Sequence, residues 1–132
     1  MSRVHLDANV LVALSDPTLP LFATVAEAIA RGDQMETSVI AWHEYARGPL
    51  LPEDQARTAR LLEDRIIALT RQMAELAAHL FNETGRRRAS TADCLVAAAA
   101  IRADAEFLTD NVADFERFVP HGLRLLGHFF GE

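Results

Sequence analysis

The sequence contains one cysteine, no lysine and no long apolar run. The single cysteine, Cys94, excludes an intrachain disulfide and leaves no cysteine-based zinc site, so we expect it to be a small core residue. The apolar run 95–101 is bounded by Asp93 and Arg102, so no stretch approaches the roughly 18–20 apolar residues that cross a bilayer. An acid at position 7 stands where a signal peptide needs its apolar segment. We therefore expect a cytoplasmic protein without a membrane contact.

Basic residues are fewer than acidic ones, at 13 against 19, which gives a formal net charge of −6. All 13 basic residues are arginine. A negative chain argues against broad electrostatic adhesion to nucleic acid or to acidic membranes. It does not exclude an enzyme that acts on RNA, since a cluster of carboxylates contributes much of that charge itself and bound cations offset it locally. We attach no functional meaning to the absence of lysine.

Short apolar strands alternate with helices along the 132 residues, half of which are hydrophobic. We predict strands at 4–6, 35–37, 66–69, 106–109 and 123–126, and helices at 10–14, 21–31, 38–47, 52–64, 70–84 and 90–103. Ser38 and Thr70 are predicted helix N-caps. The alternation favours an α/β fold with a parallel sheet of four to five strands covered on both faces, and the length favours a single domain spanning 1–132.

Several acids fall near the carboxyl ends of predicted strands, where open parallel sheets collect functional groups. Asp7 ends the first strand, Glu44 lies in the helix after the second strand, Asp93 is in the first turn of a later helix, and Asp110 and Asp114 follow the fourth strand. Carboxylates that lie close together repel unless one is protonated or a cation sits between them. Oxygen ligands of this kind suit Mg²⁺ or Mn²⁺, so the sequence favours a divalent-metal site.

Each acid also has a local explanation. Asp7 could cap the following helix, and Asp93 stands three residues after Ser90, at the spacing of a capping box. Glu44 could be a solvated helix residue, and the two acids after the fourth strand could be turn formers. Their joint occurrence at one predicted sheet edge favours a functional site over four unrelated local roles.

Four sequence blocks carry a resemblance to a known family. They are Leu-Asp-Ala-Asn-Val-Leu-Val at 6–12, Ser-Val-Ile-Ala-Trp-His-Glu-Tyr-Ala-Arg-Gly at 38–48, Ala-Asp-Cys-Leu-Val-Ala-Ala-Ala-Ala at 92–100 and Leu-Thr-Asp-Asn-Val-Ala-Asp-Phe at 108–115. With these blocks in this order, the chain resembles PIN-domain ribonucleases, and specifically the VapC-type toxins of bacterial toxin–antitoxin pairs. The resemblance covers nearly the whole chain and implies a PIN-like three-layer α/β/α sandwich.

The resemblance implies roles for the acids. Asp7, Glu44 and Asp93 take the family's first three acidic positions, and Asp7 and Asp93 are the expected metal ligands. The fourth position stays open among Asp110, Asn111 and Asp114, of which Asp114 and Asn111 are preferred as the pair nearest the site. By the same resemblance, Mg²⁺, or alternatively Mn²⁺, serves an endoribonuclease that hydrolyses RNA phosphodiesters with one or two ions.

Neighbouring polar residues are expected to position the substrate. Asn9 lies two residues after the first acid, and Asn111 is expected beside the fourth acid. Thr109 is expected to steady the site through a hydroxyl hydrogen bond.

A basic run, Arg86, Arg87 and Arg88, precedes Asp93 by a few residues. It is close enough to contact an RNA backbone that enters the acidic crevice. A solvated surface loop is the alternative interpretation.

The resemblance also implies partners, namely an RNA substrate, a second copy in a homodimer and a VapB-like antitoxin that inserts an arginine into the acidic site. Three other functions stay open. A housekeeping PIN-domain RNA-processing nuclease and a catalytically silent PIN-like module that binds RNA or protein would share the fold. A haloacid-dehalogenase-like phosphatase would need an aspartate where Asn9 stands.

Overall fold

The computed structural model describes residues 2–127 and contains a five-stranded sheet in the order β3-β2-β1-β4-β5. The strands are β1 (Arg3–Leu6), β2 (Gln34–Ser38), β3 (Ile66–Ile67), β4 (Glu106–Leu108) and β5 (Arg124–Leu125). All four neighbouring pairs are parallel. The predicted parallel sheet of four to five strands is therefore confirmed.

Seven α-helices connect the strands. They are α1 (Ala8–Ala13), α2 (Pro20–Ala30), α3 (Val39–Ala46), α4 (Pro52–Leu61), α5 (Arg71–Glu83), α6 (Thr91–Arg102) and α7 (Val112–Phe115). Two 3₁₀ segments, Arg88–Ser90 and Glu116–His121, precede α6 and follow α7. None of the helices within 2–127 is long and apolar enough to cross a membrane.

The predicted N-caps of α3 and α5 are both present. The Ser38 hydroxyl oxygen accepts a hydrogen bond from the Ala41 backbone N–H at 3.1 Å, and the Thr70 hydroxyl oxygen accepts one from the Met73 N–H at 3.1 Å. Each bond satisfies a donor in the first turn that the helix itself leaves unpaired. These caps explain why both helices begin where the sequence predicted.

The third strand is shorter than its predicted range of 66–69. It pairs only with β2, through Thr37 and Ser38, and β2 ends there because Ser38 begins α3. Residues beyond Ile67 therefore have no strand beside them with which to continue the ladder. The local pattern predicted the strand but not this limit, which depends on the neighbouring strand.

Two apolar layers cover the sheet, one on each face. One contains Phe107, Leu125 and the buried faces of α5 and α6, including Cys94, which is a core residue as expected. The other contains Val4, Leu6 and buried residues of α1, α2 and α3. Alternate residues of a strand point to opposite faces, so β4 contributes Phe107 to the first layer and Leu108 to the second. This arrangement confirms the three-layer α/β/α architecture.

The strand order places a crevice at the carboxyl end of the sheet. The chain moves outward in one direction from β1 to β2 and β3, and then returns to add β4 and β5 on the other side of β1. Loops after β1 and β4 consequently diverge above these two neighbouring strands, which is where open α/β sheets bind ligands. Asp7 and Thr109 are the first residues after these strands.

Candidate active site

Asp7 stands at the point where β1 ends and α1 begins. Its carboxylate is only 6% exposed and accepts two short hydrogen bonds, from the Ala8 backbone N–H at 2.9 Å and from the Thr109 hydroxyl at 2.7 Å. Asp7 therefore caps α1, as the local interpretation proposed, but its second oxygen faces the loop after β4. Burial raises the pKa of Asp7, and the bonds from Thr109 and Ala8 act in the opposite direction.

A hydrogen-bonded bridge joins the two loops around Asp7. The Asn9 side-chain amide donates to Asp7 at 3.3 Å, while its carbonyl oxygen accepts from the Asp110 backbone N–H at 3.1 Å. The Thr109 hydroxyl donates to Asp7 and accepts from the Asn111 backbone N–H at 3.0 Å. The hydroxyl hydrogen bond expected of Thr109 is thus present, and Asn9 lies beside the first acid.

The helix that carries Asp93 begins without the capping box that the Ser90 spacing suggested. The Ser90 hydroxyl donates to the Arg87 carbonyl oxygen at 2.7 Å, and it makes no cap bond to α6. The reason is local, because Ser90 belongs to the preceding 3₁₀ turn and its backbone is not extended as a standard N-cap requires. The Asp93 carboxylate is consequently available to the crevice.

Asp93 is the acid on which the others act most clearly. Burial raises its pKa to about 6, assisted by the negative charges of Asp7, Asp114 and Glu44 and opposed by the guanidinium of Arg117. Other carboxylates change the pKa of a carboxyl group only from nearby, because solvent and salt screen charges that lie more than about a Debye length apart. Asp7, Glu44 and Asp114 therefore lie near enough to Asp93 for their charges to affect it, and Asp114 also shares a cleft with it.

Glu44 lies on α3 and is half-buried. Burial raises the pKa of its carboxyl group, the charge of Asp7 raises it further, and Arg47 and His43 lower it. Glu44 thus faces the same acidic centre from a second helix instead of pointing freely into solvent.

The candidates for the fourth acid separate in space. Asp114 and Asp93 line one cleft of about 180 Å³, and the charge of Asp114 reaches Asp93. Asp110 lines a different recess with Asn9 and Leu19. This arrangement supports the preference for Asp114. Asn111 precedes α7 and is exposed, and only its backbone N–H takes part in the bridge to Thr109.

The three consecutive arginines have different surroundings. Arg86 stacks over the Phe81 ring, with 5.5 Å from its guanidinium carbon to the ring centroid, and hydrogen bonds to Asn82, so it turns back along α5. Arg87 lines the cleft with Asp93 and Asp114. Arg88 is exposed in the 3₁₀ turn. The structure thus places Arg87 beside the acidic site and turns Arg86 away from it.

Two features escaped the sequence interpretation. Arg117 places its Nη2 atom 3.6 Å from an Asp93 carboxylate oxygen, and its only sequence signal is a position three residues after Asp114. Below the crevice, the fully buried His5 Nδ1 lies 2.7 Å from Oε2 of Glu36, which is opposite it on β2. That pair depends on the register of two strands far apart in sequence, which no local pattern reveals.

The four acids supply the donor type that a hard divalent cation prefers. Within 2–127, no three Asp, Glu, His or Cys side chains already stand close enough together to hold one ion. Three of the four carboxyl groups nevertheless have raised pKa values, and for Glu44 and Asp93 other carboxylates are among the causes. A cation between them would relieve this repulsion, so the chemistry of these residues fits Mg²⁺ or Mn²⁺.

Comparison with known proteins agrees with the observed fold. A family model described as PIN domain matches residues 4–118. The fold is similar to that of VapBC2 from Rickettsia felis bound to a DNA fragment from their promoter, at 19% identity and a TM-score of 0.69, covering 93% of this chain and 96% of that chain. VapBC-1 from nontypeable Haemophilus influenzae is 24% identical with a TM-score of 0.66, over 93% and 96% of the two chains. A toxin–antitoxin complex from Klebsiella pneumoniae is 24% identical with a TM-score of 0.67, over 85% and 89%. No curated protein sequence matched the chain.

Proposed function

The chain belongs to the PIN-domain family, and on that premise we propose that it is a metal-dependent endoribonuclease of the VapC toxin type. The observation that supports the proposal is that Asp7, Asp114 and Glu44 all lie near enough to Asp93 for their charges to add to the burial that raises its pKa. Such a set of carboxylates is unfavourable by itself and becomes favourable around a divalent cation.

In the proposed reaction, Asp7 and Asp93 would hold Mg²⁺, which when bound would activate water and stabilise charge on the phosphate oxygens. Thr109 and Asn9 fix the orientation of the Asp7 carboxylate through their hydrogen bonds. Glu44, half-buried and facing Asp7, orients the attacking water or helps to bind a second ion. Asp114, which lines a cleft together with Asp93, would act in the same way.

The toxin assignment draws support from the structural neighbours, which include VapBC pairs and a toxin–antitoxin complex. We propose that the partner is a VapB-like antitoxin that presents a cationic side chain to the acidic crevice, and that the chain forms a homodimer in the cytoplasm. A site with four acids and a raised Asp93 pKa is complementary to such a cation.

Removal of the Asp7 carboxylate tests the nuclease assignment. We expect the wild type to cleave single-stranded RNA in Mg²⁺ and to lose this activity in EDTA. Asp7→Asn keeps the size of the side chain but removes a ligand charge, so cleavage should fall by roughly a thousandfold or more. Asp64→Asn is the matched control, because Asp64 is exposed and its positive φ suits asparagine. Full activity of Asp7→Asn, or equal activity in EDTA, would contradict the assignment.

Growth after induction separates a toxin from a housekeeping nuclease. Expression of the wild type alone should arrest growth, and co-expression of the adjacent gene should relieve the arrest. Asp7→Asn, expressed to the same level, should allow normal growth. RNA cleavage in vitro without any growth arrest would instead favour the RNA-processing role.

A further inference from the structure

One cleft beside the acidic centre contains guanidinium groups as well as carboxylates. It measures about 180 Å³ and is lined by Arg87, Ala89, Ser90, Asp93, Asp114 and Arg117. We call it the arginine cleft. It includes Asp93 and Asp114 among its lining residues, so a strand bound at the acidic centre would lie beside it.

Arg117 is held in this cleft but is incompletely paired. Its side chain is 19% exposed, and its guanidinium packs 4.6 Å from the centroid of the Phe118 ring. The distance of 3.6 Å from Nη2 to Asp93 is too long for a hydrogen bond. Its buried Nε has no hydrogen-bond partner within 2–127. The ring therefore fixes the plane of the guanidinium, while its outer N–H groups keep unused donor capacity.

Arg87 supplies a second guanidinium to the cleft from the loop before α6. Its side chain is exposed and makes no hydrogen bond or ion pair with any other residue that the structure describes. Only its backbone carbonyl is engaged, by the Ser90 hydroxyl. Two arginines thus face one small cleft, and neither has a hydrogen-bonded carboxylate partner there.

We propose that Arg117 and Arg87 bind a backbone phosphate of the RNA strand next to the bond that is cut. This inference rests on the proposed nuclease function and names a substrate subsite for it. A planar guanidinium presents paired donors that match phosphate oxygens, and an aromatic ring beneath it preserves its orientation. In a chain of net charge −6, a local pair of cations offers a polyanion a place to bind that the acids do not.

The competing explanation is that Arg117 only neutralises the acids. In that case Arg87, which is further into solvent and pairs with none of them, would have no role in the cleft. The two explanations differ in what happens to RNA binding when Arg87 is changed. They also differ in the salt dependence of binding, because a phosphate contact releases counterions from the RNA, whereas an internal ion pair does not.

The test measures binding of a short, fluorescein-labelled, mixed-sequence RNA to the Asp7→Asn chain by fluorescence anisotropy over a range of NaCl concentrations. Asp7→Asn prevents cleavage during the measurement. Arg87→Gln and Arg117→Gln are then introduced separately, and Arg117→Lys tests whether charge alone suffices. Arg102→Gln is the control, since Arg102 is exposed at the far end of α6, about 13 Å along the helix axis from Asp93, and loses the same charge.

We expect Arg87→Gln and Arg117→Gln each to weaken binding roughly fivefold and to reduce the slope of log affinity against log salt by about 0.7. Arg117→Lys should retain the slope and bind with intermediate affinity, because it keeps the charge but loses the planar fork. Arg102→Gln should bind like its parent. Arg87 is exposed, so its variant carries the test even if Arg117→Gln does not fold.

Equal affinity and slope for Arg87→Gln, Arg117→Gln and Arg102→Gln would overturn the subsite. A parent chain that shows no salt-dependent RNA binding would also overturn it. Failure of the proposed function is recognised separately, because the wild-type chain would then leave RNA uncut in Mg²⁺ whatever the variants bind.

Discussion

The two expected metal ligands, Asp7 and Asp93, lie in different kinds of surroundings. The Asp7 carboxylate is buried and receives hydrogen bonds from a backbone N–H, a hydroxyl and an amide. The Asp93 side chain is 35% exposed, and within residues 2–127 its one polar contact is the 3.6 Å approach of Arg117. Hydrogen bonds therefore fix the orientation of the Asp7 carboxylate, whereas burial and the surrounding charges determine the behaviour of Asp93.

This difference suggests that Asp7 and Asp93 have different roles at the site. Neutral donors orient Asp7 without cancelling its charge, so it can serve as a fixed point for an incoming cation. Asp93 lies where other acids repel it, with a pKa of about 6, so its state responds to pH, to the metal and to neighbouring arginines. Substitutions that remove a hydrogen bond to Asp7 should therefore disturb the orientation of its carboxylate. Substitutions that change a neighbouring charge should instead alter the pKa of Asp93.

Removal of the Thr109 hydroxyl should produce the largest effect among the supporting residues. Thr109→Val deprives both the Asp7 carboxylate and the Asn111 N–H of a partner, so cleavage should fall about 10- to 100-fold. The free energy of unfolding should fall by about 1–2 kcal/mol. Cleavage rates and urea denaturation measure the two effects.

Two matched variants sharpen that result. Thr109→Ser should restore most of the activity, because it retains the hydroxyl. Thr84→Val removes a hydroxyl that donates to the Leu80 carbonyl oxygen on α5, and it should leave cleavage nearly unchanged. Equal activity of Thr109→Val and the wild type would show that the hydrogen bond from Thr109 does not orient Asp7, and would contradict the contrast drawn between Asp7 and Asp93.

The pair Asp114 and Asp110 should show an intermediate effect. Asp114→Asn should lower cleavage roughly tenfold, because Asp114 shares a cleft with Asp93 and acts on its charge. Asp110→Asn should have little effect, since its side chain lines the other recess and only its backbone N–H joins the bridge to Asn9. The reverse order of effects would show that the fourth acid had been assigned wrongly.

The smallest expected effect is a change in stability at Asp93. The pKa of Asp93 is about 6 in the folded chain against an ordinary value of 3.8, so its favourable contribution is full below pH 3.8 and is lost as pH rises through 6. Above that pH the charged carboxylate opposes folding. Asp93→Asn should therefore raise Tm by roughly 2 to 4 °C in EDTA near neutral pH, although it abolishes cleavage.

Thermal unfolding followed by fluorescence, repeated across the pH range, checks this expectation. The advantage of Asp93→Asn should appear between pH 3.8 and 6 and stay constant above it. Asp64→Asn should show no such rise. A lower Tm for Asp93→Asn in EDTA near neutral pH would mean that its contact with Arg117 outweighs the repulsion by the other acids.

Local patterns were sufficient to predict most of the fold. The N-caps at Ser38 and Thr70 and the alternation of strands with helices placed the elements to within a few residues, because caps and periodicity act over one or two turns. The predicted parallel sheet also led to the expectation that the acids lie near the carboxyl ends of its strands. The resemblance to the PIN-domain family was confirmed. The single domain over 1–132 and the roles of the site residues remain predictions.

Features that depend on long-range partners were missed or misread. The Ser90 spacing suggested a cap for α6, yet the Ser90 hydroxyl bonds to the carbonyl of Arg87. Arg117 reaches Asp93 from 24 residues away only because of how α7 and its following 3₁₀ turn pack against α6. Such contacts are set by tertiary packing, which leaves no periodic trace in the sequence.

The most direct measurement is a calorimetric titration of Mn²⁺ into the wild type, Asp7→Asn, Asp93→Asn and Asp110→Asn. A shared metal site predicts binding by the wild type and Asp110→Asn, and loss of that binding in both Asp7→Asn and Asp93→Asn, since each removes a ligand charge. Equal Mn²⁺ affinity in all four chains would contradict the proposal that these distant acids form one metal centre.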